Sequence, residues 1–353
     1  MIYQIMKQIF RVFEGNNGAT YVLNASSWKN ISMSLGFYQA RSVKSKVLKF
    51  NLKIYLFILR ILWKSKLKTA EECEQLIYNE TNVPCKLGMD VNCSVLISPT
   101  RNKIIIHHHG NYFQKIAFGG SYLKVKNEAN IYALFTGELT SFQVSEFYDF
   151  SDAKNKFVTF KLSNTKISSQ PGKVNTLDSV LTEFFNVKRT KEIQLSLFIE
   201  SELLLVIDEC NNNNLNILRN YLIEQKTNLE DVVIPLGLVH NDFKPWNIKK
   251  YNEILIFDFE EAIPNGLPML DLFNFYCDPI VRYKGANEVL EELFTSKNNK
   301  LFESYKNKLN INMSIEVLFN LYLIERITFW EKVNEIETAN AYLNLFKFNQ
   351  ANA

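Results

Sequence analysis

The sequence has few of the residues that break or staple a chain. It holds 12 Gly and 8 Pro in 353 residues, too few for a collagen-like or linker-rich class. Its five Cys, at 73, 85, 93, 210 and 277, are odd in number and none sit at C-x-x-C spacing. Neither a disulfide framework nor a zinc ribbon is indicated, and a reducing cytosol is the simplest compartment. Long apolar runs are missing as well. The longest, Ile54–Trp63, has ten residues and contains Arg60, about half of what a bilayer crossing needs. Met1–Gly15 contains Glu14 and no sustained apolar core, so it does not read as a secretory signal. Excess charge is missing too. Lys and Arg number 40 against 37 Asp and Glu, a net +3, which gives no electrostatic case for nucleic acid as a partner.

What is present is a globular composition, 47% hydrophobic and 22% charged, long enough for roughly two domains of about 150 residues. The abundance of Asn, Lys, Ile and Phe reads as the bias of an AT-rich genome. No internal repeat is visible, and the run Asn211–Asn214 reads as a loop. Charge is uneven along the chain: Arg41–Lys68 carries nine cations and no acid, leaving −6 for the rest. This segment reads as one long amphipathic helix, with two readings. Its Leu48, Leu52, Tyr55, Leu56, Leu59, Leu62 and Trp63 side packs on a core, or its basic surface meets anionic lipid headgroups. Residues 1–89, with a short strand at Tyr21–Asn24, are expected to form an N-terminal extension.

From Cys93 the pattern changes to strands, at Ser94–Ser98, Lys103–His109, Tyr112–Phe118, Val144–Phe150 and Lys156–Leu162. Turns are expected at Pro99–Asn102, Gly110–Asn111 and Ser151–Asn155, and a helix at Tyr122–Phe135. His107, His108 and His109 alternate faces of a strand and do not converge on a metal. After residue 163 helices dominate: Leu177–Asn186, Lys191–Cys210, Leu215–Gln225 and most of Leu270–Tyr342. Short strands at Ile234–Val239 and Ile254–Phe257 flank a loop. The fold class is therefore α+β. A five-stranded antiparallel unit with one helix (residues 90–163) precedes a mainly helical unit (164–353).

The chemistry is concentrated in Leu238–Glu261, LVHNDFKPWNIKKYNEILIFDFEE. It contains His240-x-Asp242-x-x-x-x-Asn247, then Asp258-x-Glu260 at the end of an apolar strand, 16 residues after Asp242. Phosphoryl transfer asks for a carboxylate beside the attacking hydroxyl, which suits Asp242, and for hard oxygen ligands to magnesium. Asn247 offers an amide oxygen and Asp258 a carboxylate across the loop.

HNDFKPWN resembles the catalytic loop of the protein-kinase-like superfamily, and IFDFEEA its metal-binding strand end. The D-F-E version, followed by Leu270-Asp271-Leu272-Phe273, resembles the aminoglycoside phosphotransferase and choline kinase branch. It is also similar to kinase-like phosphotransferases of bacterial surface-polysaccharide gene clusters. The resemblance covers roughly residues 90–340. It implies a bilobal kinase-like fold and transfer of a γ-phosphoryl group from ATP or GTP, with Mg2+, to a hydroxyl of a sugar, glycan or amino alcohol.

Residue by residue, the resemblance implies that Asp242 is the catalytic base and that Asn247 and Asp258 hold magnesium. It implies that His240 braces the loop and that Lys244 contacts the transferred phosphate. Asp271 would hydrogen-bond the loop backbone, or cap its own helix. Glu260 would orient metal or water, or stand solvated. In the N-terminal lobe Lys115 would serve the non-transferred phosphates with Glu128 as its partner, Lys124 and Lys126 being rival lysines. The turn SPTRNK lacks a glycine-rich phosphate loop, so Ser98 and Thr100, with Asn102, are the expected phosphate contacts there. The adenine is expected near Phe160–Ser163.

Asp258 and Asp271 stand only 13 residues apart, too close for an activation segment, and Asn241 stands where a loop-phosphate-pairing arginine would be. Both favour a small-molecule or glycan kinase over a protein or toxin kinase. A pseudokinase-type nucleotide-binding module is the rival from another class. The expected location is the cytoplasm, on the inner face of the membrane if the basic segment meets lipid.

Overall fold

The computed structural model describes residues 8–15, 18–35, 43–87, 92–109, 112–152, 157–163, 177–189, 192–210, 215–250 and 254–352. The expected turn at 110–111, the loop at 211–214, Arg41 and most of the turn at 151–155 lie outside the described residues. The chain divides into two compact units: residues 1–130 with 145–166, and residues 131–144 with 167–353.

The first unit begins with β1 (Ile9–Glu14), β2 (Thr20–Asn24), α1 (Trp28–Ser34), α2 (Val43–Leu62), β3 (Lys68–Thr69) and α3 (Ala70–Thr81). Then come β4 (Cys93–Ser98), β5 (Lys103–His108), β6 (Tyr112–Phe118) and α4 (Tyr122–Tyr132). After β7 (Gln143–Val144), which belongs to the second unit, β8 (Phe147–Asp152) and β9 (Phe157–Ser163) complete it. Its sheet has eight strands in the order β3-β1-β2-β4-β5-β6-β9-β8. Every pairing is antiparallel.

The five strands and one helix expected over residues 90–163 occur as β4, β5, β6, β8 and β9 with α4. Residues 1–89 add β1, β2 and β3 to the same sheet, making eight strands, together with α1, α2 and α3. The reason is that β2 docks along β4, with Thr20 opposite Ile97 and Val22 opposite Val95. That pairing covers an edge the five-stranded sheet would have left open. One face of the sheet buries Phe10, Val22, Val95, Ile104 and Ile116 with Cys73 and Ile77 of α3. Burial pushes the thiols of Cys73, Cys85 and Cys93 up to about 12, so they pack as neutral groups. A polar seam fastens the first residues to β4: Ser94 Oγ lies 2.6 Å from Ser34 Oγ and 2.8 Å from His109 Nε2.

The long basic helix is also shorter and differently oriented than expected. It spans Val43–Leu62, and the chain then turns at Lys64–Lys66. There Lys68–Thr69 pairs with β1, and Thr69 caps α3 in a box with Glu72. Of its apolar residues Leu56 and Leu59 are buried and Leu52 is partly so, whereas Leu48, Tyr55, Leu62 and Trp63 are exposed. The inward stripe meets Leu23, Ile31 and Leu35.

In the second unit α5 (Leu177–Asn186) precedes β10 (Ile193–Gln194), α6 (Leu195–Phe198), α7 (Leu205–Glu209) and α8 (Asn216–Asn228). The expected helix at 191–210 thus opens with a strand, because β10 pairs with β11 (Val233–Ile234). Four short strands follow: β12 (Gly237–Val239), β13 (Ile248–Lys250), β14 (Ile254–Ile256) and β15 (Ile263–Gly266). Gly237 and Gly266 face each other across β12–β15. A Cβ at either would stand 2.6 Å from Phe185 or Val239, so close approach requires glycine at both. Helices α9 (Leu270–Cys277), α10 (Ala286–Leu293), α11 (Ser296–Lys308), α12 (Ile315–Lys332) and α13 (Ile336–Asn352) complete the unit. Among the described residues no helix is long and apolar enough to cross a membrane.

Candidate active site

The loop between β12 and β13 is held from below by aromatic packing. The buried His240 ring lies 5.1 Å from Phe259 and 5.8 Å from Phe243. Its Nε2 is 3.0 Å from the Phe257 carbonyl oxygen, which ties the loop to the segment after β14. The next residue, Asn241, takes a left-handed conformation with φ +62°, one that asparagine tolerates better than most residues. The bend aims two successive backbone N–H groups at Asp271. They donate to its carboxylate, His240 at 2.7 Å and Asn241 at 2.9 Å. Asp271 sits in the first turn of α9, whose N-cap is Met269. Asp271 therefore bonds the loop and does not occupy the cap position. Burial raises its carboxyl to about 6, against the pull of His240 and the two N–H bonds.

This bracing places the polar side chains of the loop. Pro245 opens a short 3-10 turn that ends at Asn247. Asn247 Nδ2 donates to the Asp242 carbonyl and to Asp242 Oδ2, both at 2.8 Å. The amide nitrogen is thereby committed, and Oδ1 is the atom on offer to a cation. Lys244 Nζ lies 2.6 Å from Asp242 Oδ1 and 3.0 Å from Asp278 Oδ2. The ammonium also stands 5.7 Å from the ring centres of Trp246 and Trp330. Asp258 follows β14 in a left-handed conformation, φ +72°. That backbone costs on the order of 1 kcal/mol or more for a residue with a Cβ, and such strain gathers at functional sites. A carboxylate oxygen of Asp258 lies within 4.8 Å of one from Glu260. Amide and carboxylate oxygens of this kind are hard donors, the set magnesium takes.

Four residues of the site escape the sequence reading. Asn274 Nδ2 donates to the Asn241 carbonyl at 3.0 Å, and an Arg326 guanidinium nitrogen donates to the same oxygen at 2.9 Å. Asp278 holds Lys244 and accepts from the Tyr342 hydroxyl at 2.9 Å. A signal for two of these is present in the sequence. Asp271, Asn274 and Asp278 recur at i, i+3 and i+7, a polar stripe on an otherwise apolar helix. Arg326 and Tyr342, far along the chain, carry no local signal.

In the first unit Lys115 and Glu128 meet. Lys115 Nζ lies 2.9 and 2.7 Å from the two Glu128 carboxylate oxygens, and the Glu128 side chain is fully buried. Lys126 instead reaches Asp152, at 3.4 Å. Ser98 ends β4 opposite Lys103, and Thr100 is exposed on the 3-10 turn that follows. Asn102 closes that turn at φ +49°. There its side chain stands beside the Cβ position of Gly119, 3.4 Å away.

No protein-family model and no curated protein matches the sequence. Among solved structures, a Ralstonia eutropha protein assigned as an aminoglycoside phosphotransferase is similar at TM-score 0.50 and 9% identity, over 80% of this chain and 98% of that one. The chain has a kinase-like fold. An aminoglycoside phosphotransferase in complex with GDP and kanamycin is similar at TM-score 0.46 and 12% identity, over 80% and 99% of the two chains. A thermostable mutant phosphotransferase with ADP and hygromycin B is similar at 0.43 and 13%, over 79% and 98%. At 9% identity the likeness to the Ralstonia eutropha protein speaks for the fold alone.

Proposed function

We propose that this chain is a kinase that moves the γ-phosphoryl group of ATP or GTP to a hydroxyl of a small molecule or glycan. The observation that carries the reading is the pair of hydrogen bonds that Asn247 Nδ2 donates to Asp242. It orients a carboxylate and an amide oxygen together on a braced loop. In this reading Asp242 accepts the proton of the acceptor hydroxyl. The acceptor oxygen forms its bond to the γ-phosphorus as the bridging oxygen–phosphorus bond breaks, and the nucleoside diphosphate leaves. Asn247 and Asp258, with Glu260 beside Asp258, are the residues that would hold magnesium, which would supply charge neutralisation on the phosphates. Lys244 places a second cation by the transferred group, and catalysis rests mainly on position and charge. Lys115, paired with Glu128, serves the non-transferred phosphates, with Ser98 and Thr100 as polar contacts at the β4–β5 turn.

The acceptor favoured is a sugar or lipid-linked saccharide. Trp330 is faced by Lys244 and by Arg282, whose guanidinium lies 4.8 Å from its ring. A flat aromatic suits a sugar face. The test is nucleotide turnover over a panel of sugars, saccharides and amino alcohols, with Asp242→Ala as control. Turnover above the control on a saccharide supports the reading. Equal, background rates across the panel, with a nucleotide-induced thermal shift, leave a binding module without catalysis.

A further inference from the structure

Helix α2 is apolar on two opposite faces, and among the described residues only one of them is covered. Leu52, Leu56 and Phe57 pack with the cluster of Leu23, Ile31 and Leu35, and Leu59 is buried. On the other side Val43, Val47, Phe50, Ile54, Ile58 and Ile61 recur at i, i+4, i+7, i+11, i+15 and i+18. At 100° per residue they fall within about 80° of arc and form a strip about 27 Å long. All six are 37–79% exposed. Buried packing accounts for neither the regular spacing nor the length, and contiguous exposed apolar surface of this kind marks an interaction site.

The border of the strip says what meets it. Lys46, Lys49, Lys53 and Arg60 lie within about 60° of one another along one flank. Lys53 is fixed there, 4.1 Å from the Trp28 ring. No acid occurs between residues 41 and 68. A second copy packed strip to strip in antiparallel fashion would set these basic flanks against each other. An anionic bilayer surface suits both features, taking the apolar strip between headgroups and the cations against phosphates. The helix fails the requirements of a spanning segment, which leaves it lying in the interface plane.

We infer that α2 is a membrane-docking element, seated on anionic lipid through the Val43–Ile61 strip and its basic flank. Its evidence is separate from that for phosphoryl transfer, and its test needs no turnover. Full-length protein would be floated with vesicles of neutral phosphatidylcholine and with vesicles carrying about 30% phosphatidylglycerol, at low and at physiological salt. The expected result is binding to the anionic vesicles that weakens with salt. A Val47→Ser/Phe50→Ser/Ile61→Ser variant, whose residues are all exposed, is expected to lose at least tenfold in partition coefficient and to keep its Tm within about 2 °C. Equal binding to both vesicle types overturns the proposal, as does undiminished binding by the folded triple variant. Absence of any vesicle binding beside a wild-type dimer that the variant dissolves overturns it in favour of a second copy of the chain.

Discussion

Lys115 and Lys244 are both cations held by carboxylates, but their scaffolds differ in kind. Lys115 stands mid-strand in β6, registered against Ile105 on one side and Phe160 on the other. Its partner Glu128 stands on a regular helix. Two ladders and a helix fix both backbones, and one two-pronged ion pair completes the arrangement. Lys244 stands on a loop that no ladder holds. Asp271, Asn274 and Arg326 hold it by bonding the backbone of His240 and Asn241, and Asp278 holds the lysine itself. In the sheet unit position is inherited from secondary structure. In the helical unit it is made by side chains, each of which supports several others. Removing one group should therefore subtract a single function from the first region and disturb several in the second.

The largest effect is expected at Asp242, the carboxylate proposed as the base. Asp242→Asn keeps the acceptor for Asn247 and removes the base. Its kcat should fall about 1000-fold, and Tm should fall with it in thermal-shift measurements, because the new amide NH2 would face the Lys244 ammonium that Asp242 Oδ1 holds at 2.6 Å. Lys115→Met should take the ion-pair partner from the buried Glu128 carboxylate and cost about 3–5 kcal/mol in urea unfolding. Adding Glu128→Gln should restore stability and leave nucleotide affinity low. A restored affinity would break the view that this pair has one job. Asp271→Asn turns one acceptor into a donor facing N–H groups and should cost about 1–3 kcal/mol. Here kcat and loop protection should fall together, whereas the Glu128 double variant separates stability from binding.

The smallest and sharpest contrast is in pH. Folded Asp271 keeps its proton up to about 6, against 3.8 in the open chain. The folded state therefore binds the extra proton between those values, and its stability is lost as pH rises through the window. Folded His109, made less basic by burial, titrates near 4 instead of 6.5. There the unfolded chain binds the extra proton, and stability is lost as pH falls through that window. Hydrogen exchange at pH 5 and pH 7, corrected for intrinsic rates, should show the two regions moving oppositely. The His240 and Asn241 amides should be better protected at pH 5, and those of β4 and β5 worse. Parallel changes in both regions would count against this assignment.

Local patterns were legible and long-range pairings were not. Tyr112–Phe118 and Leu177–Asn186 occur with the bounds their periodicity predicts. Asp242, Asn247 and Asp258 could be read because a loop and the following strand carry them within 17 residues. β1 was missed because IFRVFE becomes a strand through pairing with β2 and β3, a tertiary cause that no local propensity displays. α3 was missed although Thr69 and Glu72 spell a capping box. The basic helix was read too long because nothing in KSKLK breaks a helix; pairing of Lys68–Thr69 with β1 does. Two-faced α2 was read as one-faced, since periodicity shows apolar positions but not which of them find a partner.

The docking of β2 on β4 also has a history during synthesis. Asn24 and Ser94, which bond across that seam, are 70 residues apart. At roughly 5–20 residues per second, several seconds separate their emergence from the ribosome. Through that interval the β1–β2 hairpin waits with the edge meant for β4 unpaired, while α1, α2 and α3 are still being made. A neighbouring nascent chain offers the same edge. Soluble yield should therefore depend on how quickly translation reaches Cys93, and on whether a chaperone occupies the hairpin until it does.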